Sequence, residues 1–139
     1  MSWVFYALGA IVSVAISDMF RKLGSNLHDA FLSNLIFQIG SVTMAVTLWL
    51  LFSRRLEDNA WGLTYALIGG MLVSIFTAFV FKALEIGPGV SVVMPVIRVG
   101  GVMLVAILGV LVFGEKMSTS LALGILLSVT GVYLIFSGK

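Results

Sequence analysis

Asp18, Asn34, Gln38, Ser74, Thr77 and Arg98 interrupt runs that are otherwise almost wholly apolar. Arg98 carries a permanent charge and a fork of donors suited to a carboxylate or phosphate. Asn34 and Gln38 offer amides that both donate and accept, Ser74 and Thr77 offer hydroxyls, and Asp18 offers an acceptor that can hold a cation or an arginine. That inventory suits binding rather than bond breaking. No pair of acids lies close in sequence within these runs, the chain has 1 histidine and 0 cysteines, and no base stands near a serine. Metal, nucleotide and disulfide chemistry find no support, so no cofactor and no enzymatic activity are expected.

The elements that must hold these residues are set by composition. At 60% hydrophobic and 10% charged residues in a chain of 139, with a mean hydropathy of +1.18, the protein is too apolar to be water-soluble and is expected to sit in a lipid bilayer. Five apolar segments, about Trp3–Phe20, Ala30–Phe52, Ala60–Phe81, Val90–Phe113 and Ser120–Phe136, predict five transmembrane helices and an all-α fold, because an open sheet leaves backbone groups unsatisfied in lipid. The short polar connections predict antiparallel neighbours and a single domain spanning residues 1–139. The first segment lacks a basic leader and a cleavage site, and is expected to be retained as a span. Asn59 is expected to cap the third helix, Pro88 to occupy the first turn of the fourth, and Ser118 or Thr119 to cap the fifth. Pro95 is expected to kink the fourth helix.

With the N-terminal side called A and the other side B, a rise of about 1.5 Å per residue puts Arg98 roughly 14 Å, Gln38 about 12 Å, Ser74 about 9 Å, Asp18 roughly 8 Å, Asn34 about 6 Å and Thr77 about 5 Å from side B. Asn34, Gln38 and Ser41 fall at i, i+4 and i+7, one helical face, as do Ser74 and Thr77. This grouping predicts a polar vestibule opening towards side B, with Asp18 and Gln38 as candidate partners of Arg98. Asp18 also stands three and four residues before Arg21 and Lys22, close enough to pair with them instead, and membrane hydroxyls commonly bond to their own helix. His28 is expected at the solvated interface. Ser120, Gly124 and Ser128 repeat every four residues, with Gly131 beyond, as do Ala66, Gly70 and Ser74; such stripes allow close helix packing, within the chain or between chains. Trp3, Trp49 and Trp61 fall near span ends, where aromatic belts lie.

Lysine and arginine barely distinguish the two sides: Arg54, Arg55 and Lys116 on A against Arg21, Lys22, Lys82 and Lys139 on B. The positive-inside rule then gives no firm orientation, and insertion in both orientations becomes plausible. The formal charge of +2 resides at span ends, which gives no basic face for a nucleic acid.

Pro95, the closing Gly114-Glu115-Lys116, Ser118, Leu123-Gly124 and Thr130-Gly131-Val132-Tyr133-Leu134 resemble the C-terminal part of an EamA-type half of the drug/metabolite transporter superfamily. The resemblance implies a five-helix half of a ten-helix inverted-repeat transporter. Five is odd, so a second half must be inverted, either by tandem fusion or by an oppositely inserted copy. The expectation is a secondary transporter of small metabolites, working by alternating access as an antiparallel homodimer in a prokaryotic inner (plasma) membrane. Arg98 nearest the midplane favours an anionic or zwitterionic substrate, whereas small multidrug resistance proteins, a related family, carry an embedded acid. The competing expectation is a non-transporting or heteromeric membrane subunit, such as half of a lipid-carrier flippase. Glu115 is expected to order the turn into the fifth helix, whose N-terminus favours negative charge.

Overall fold

The computed structural model describes residues 3–53 and 59–137. All regular structure in it is helical: α1 (Trp3–Leu27), α2 (Ala30–Phe52), α3 (Ala60–Ile86), α4 (Val90–Phe113) and α5 (Thr119–Ser137). Each is long and apolar enough to cross a membrane. The chain is an all-α membrane protein, the helical ladder bonding backbone groups within each span as lipid demands.

Local chemistry sets the helix ends. The Asp29 carboxylate accepts from the backbone N–H groups of Phe31 (2.9 Å) and Leu32 (3.1 Å), so α2 starts one turn after α1 ends. Asn59 Oδ1 accepts from the Gly62 N–H at 3.1 Å and caps α3. At α5 the cap is Ser118, whose Oγ accepts from the Leu121 N–H at 3.1 Å. Pro88 departs from expectation: it lies before Gly89, the residue that caps α4 with φ 147°, and so stands outside the helix. Gly89 is required there because a side chain is strained at that φ. Helix α4 runs without interruption through Pro95 and stops at Gly114, which is left-handed at φ 66° and returns its N–H to Gly109 O.

Two spans run further than the sequence predicts. Helix α1 continues from Phe20 to Leu27 and α3 from Phe81 to Ile86, leaving short connections on side B. The extra turns hold Arg21, Lys22, Ser25, Lys82 and Glu85, which look like loop composition but find partners. Lys22 Nζ donates to Leu84 O at 2.6 Å. Lys82 pairs with Glu85 at 3.1 Å within α3.

The chain forms two compact units, Met1–Ile86 and Gly87–Lys139. In the first, α3 packs on both α1 and α2. Its buried residues are Asp18, Arg21, Ser25, Ala30, Ser33, Thr77, Val80, Phe81 and Leu84, every one towards side B. The α1, α2 and α3 segments towards side A contribute none. Trp3, Trp49 and Trp61 all stand exposed at that side-A end. The second unit is the α4–α5 hairpin, with Val92, Met94 and Gly109 buried.

Candidate functional site

Two polar clusters sit in the first unit, and they are built differently. Asp18 and Arg21, one turn apart on α1, form an ion pair of 3.1 Å with both side chains about nine-tenths buried. The guanidinium also lies 4.4 Å above the Phe37 ring, which in turn meets Phe81 edge to face at 5.8 Å between centroids. A cation between a carboxylate and an aromatic face is compensated locally, which is how a charge is tolerated in a low-dielectric interior. The pairing of Asp18 with Arg21, one of those open to it at the level of sequence, is made. Ser33 Oγ donates to Gly24 O at 3.3 Å, fastening α2 to α1 beside the pair, while Ser25 Oγ bonds within α1 to Lys22 O at 3.0 Å.

The second cluster joins α2 to α3. Gln38 Nε2 donates to Thr77 Oγ1 at 2.8 Å, Thr77 Oγ1 donates to Asn34 Oδ1 at 2.6 Å, and Asn34 Nδ2 donates to Ser74 O at 3.4 Å. Thr77 is 1% exposed and has one hydrogen to give. Two acceptors are within its reach, Asn34 Oδ1 at 2.6 Å and the Ser74 carbonyl at 3.0 Å; given to the nearer while Thr77 accepts from Gln38, it makes the bonds run in one direction, an order that strengthens each member in a medium of low dielectric. The periodicity in α2 places Asn34 and Gln38 correctly. Ser41, the third residue of that face, instead bonds back to Phe37 O at 3.0 Å.

Within this unit the described residues line two separate spaces. Opening near side B is a mostly apolar cleft of about 430 Å³ whose polar lining is Arg21, His28 and Ser33. His28 is exposed there, at the end of α1. Gln38 and Ser74 line a different space, an open groove of about 470 Å³ that runs along α2 and α3 towards Val42, Leu67 and Ala66, on the side-A half. The cause lies in packing: Val80, Phe81 and Leu84 fill the side-B end of α3, while its small residues Ala66 and Gly70 leave the other end open.

In the second unit Arg98 is half-buried on α4, three residues after Pro95. Ser120, Gly124, Ser128 and Gly131 all stand exposed on α5, and added Cβ atoms at Gly124 and Gly131 would meet nothing. Glu115 stands in the turn between α4 and α5. Its backbone N–H donates to Gly109 O at 3.2 Å, and its carboxylate oxygen lies 2.8 Å from where a Cβ at Gly109 would stand, so the residue folds back on α4. The hydrogen-bonding cap of α5 is Ser118.

Five apolar spans, with polar side chains bonded to one another between helices, define an integral, multi-pass membrane protein. Among the described residues no cluster of side chains could hold a metal ion. The model of the EamA-like transporter family matches residues 1–137, and the chain belongs to that family, part of the drug/metabolite transporter superfamily. Membership gives it a transporter-like function in a lipid bilayer, towards a small-molecule substrate. No curated protein and no solved structure matches the chain significantly.

Proposed function

We propose that the chain is a secondary transporter of small metabolites, in which two oppositely inserted copies form an antiparallel homodimer and exchange conformations to give alternating access. The observation that carries the transport reading is the directed chain of hydrogen bonds through Gln38, Thr77 and Asn34, held between spans of a chain that the family model matches almost end to end. Polar groups at that depth carry an insertion cost and call for a use. Arg98 on α4 supplies a cation for an anionic or zwitterionic substrate. Inverted pairing is supported by the near-equal lysine and arginine count of the two sides, by the odd number of spans, and by the exposed Ser120, Gly124, Ser128 and Gly131 stripe, which offers a close-approach surface to another helix.

Single-cysteine labelling in intact and permeabilised membranes tests the arrangement directly, since the sequence has 0 cysteines to interfere. Reporters placed at Asn59 and at Lys139 are expected to label partly from each side. Labelling of each from one side alone would end the antiparallel homodimer and direct attention to a heteromeric partner. In proteoliposomes, Arg98→Ala is expected to abolish flux of an anionic substrate with the dimer intact; undiminished flux would remove Arg98 from the path.

A further inference from the structure

We propose that the groove between α2 and α3 is a binding subsite for an uncharged hydrogen-bond donor carried on an apolar body, with Gln38 Oε1 as the atom that accepts it. The proposal rests on reading this polar set as part of the substrate path, and it adds a neutral recognition element to that reading.

Gln38 is anchored by one end. Its Nε2 is committed to Thr77 Oγ1 at 2.8 Å, and Thr77 is in turn committed to Asn34, so the amide cannot flip without breaking a directed series of bonds. The anchoring leaves Oε1 as the end turned away from Thr77. Among the described residues that oxygen accepts no hydrogen bond, although Gln38 lines the groove. The Ser74 hydroxyl, on the same wall, also makes none, whereas Ser41, Thr43, Thr47 and Thr64 on the same two helices each bond back to the carbonyl four residues earlier. A carbonyl oxygen facing lipid tails has nothing to accept from, and leaving it unmet is costly. The complement it calls for is an O–H or N–H group.

Two further properties fix the class of ligand. None of the residues lining the groove is charged, and Val42, Leu67 and Met71 give it an apolar wall, so the part of a ligand that lies here is neutral and mainly hydrocarbon or aromatic. Its volume of about 470 Å³ falls within the range of small-molecule sites. Gly70 lies along it with open space around the position of an added Cβ. No close helix approach within the unit accounts for that glycine, and its lack of a side chain is what keeps the groove deep.

The test uses the full chain in lipid nanodiscs with two probes: indole, whose N–H donates, and 1-methylindole, which keeps the rings and lacks the donor. The readout is the 13C methyl resonance of Met71. Indole is expected to saturate the shift at a concentration about five- to tenfold lower than 1-methylindole, the value of one net hydrogen bond. In Gln38→Leu the two probes should become equivalent. In Gly70→Leu, where the added Cβ meets no atom within 4 Å, both should stop binding while the helical circular dichroism is kept. Equal affinity for the two probes, discrimination that survives Gln38→Leu, or no perturbation by either probe would overturn the subsite. A disulfide-linked dimer formed by Gly70→Cys would also overturn it, by showing that a second copy covers the groove. Binding is read apart from labelling and flux. Mixed topology with Arg98-dependent flux and no indole selectivity defeats the subsite alone, and indole selectivity in a chain of fixed orientation defeats only the homodimer.

Discussion

The side-A end of the α1–α3 unit is richer in apolar side chains than the side-B end, yet it is the B end that is packed. Towards side B, Val80, Phe81 and Leu84 of α3 are buried against α1 and α2, at 1%, 3% and 0% exposure, beside the Asp18–Arg21 pair and Thr77. Towards side A, Leu63, Leu67, Met71 and Leu72 on the same helix are all 60% exposed or more. Apolarity cannot account for the difference, because lipid is as apolar as leucine and gives no reason for one leucine to leave it for another. What distinguishes the B end is a set of groups that lipid serves badly: a carboxylate, a guanidinium, two amides and several hydroxyls. They draw three helices together, and the apolar side chains between them are packed as a consequence. Among the described residues of the spans, the A end has no buried carboxylate, guanidinium or amide, its Thr43, Thr47 and Thr64 hydroxyls bond back to their own helices, and it stays open; the groove begins where the last of the polar set, Gln38 and Ser74, faces away from the packed end.

This account ranks the residues by the damage their loss should cause. Asp18→Ala is expected to be the most destabilising change in the unit, by about 3–5 kcal/mol, because it removes the carboxylate from a guanidinium that stays buried. Thermal unfolding in nanodiscs would measure it. The joint replacement Asp18→Leu with Arg21→Leu should recover most of the loss. If the double variant is as unstable as the single one, the pair does more than compensate its own charges, and the comparison of the two ends would need another cause.

Leu84→Ala comes next, at about 2 kcal/mol, the low end of values for soluble cores, since van der Waals contacts are lost but no surface is returned to water. Thr77→Val should cost roughly 0.5–1.5 kcal/mol. It keeps the shape, breaks the bonds to Gln38 and Asn34, and frees the Gln38 amide to turn. The side-chain amide resonances of Gln38 and Asn34 are therefore expected to broaden together; if Gln38 stays sharp, something other than Thr77 holds it.

The spans could be read in the sequence because a membrane demands so much of them: about 20 apolar residues each, capped by residues such as Asn59 and Ser118 whose side chains have few other uses at that position. The α2 face could be read for the same reason, since Asn34 and Gln38 must turn from lipid. Tertiary partners could not be read. Arg21 and Lys22 look like the end of a span until Asp18, Phe37 and the Leu84 carbonyl are brought to them, and only then does α1 continue to Leu27. Arg21 over Phe37 had no sequence signal beyond the two residues themselves, sixteen positions apart. The grooves of the α1–α3 unit could not be read either, because depth along each helix can be counted, whereas the end at which helices close depends on which side chains meet.

The smallest expected effect tests the comparison from its other side. Leu67→Ala, on α3 at the open end, removes about as much hydrocarbon as Leu84→Ala, but the side chain is 62% exposed and lines the groove. Lipid can fill the space it leaves, so the cost should stay within about 0.5 kcal/mol. Lipid should enter from the same groove that takes indole, and indole affinity should therefore fall even though stability does not. Equal losses of stability at Leu67 and Leu84 would mean that the A end is covered by protein in the membrane, and a second copy of the chain would be the first partner to look for there. Unequal losses would show that polar groups, rather than the apolar surface around them, choose which end of a three-helix unit closes.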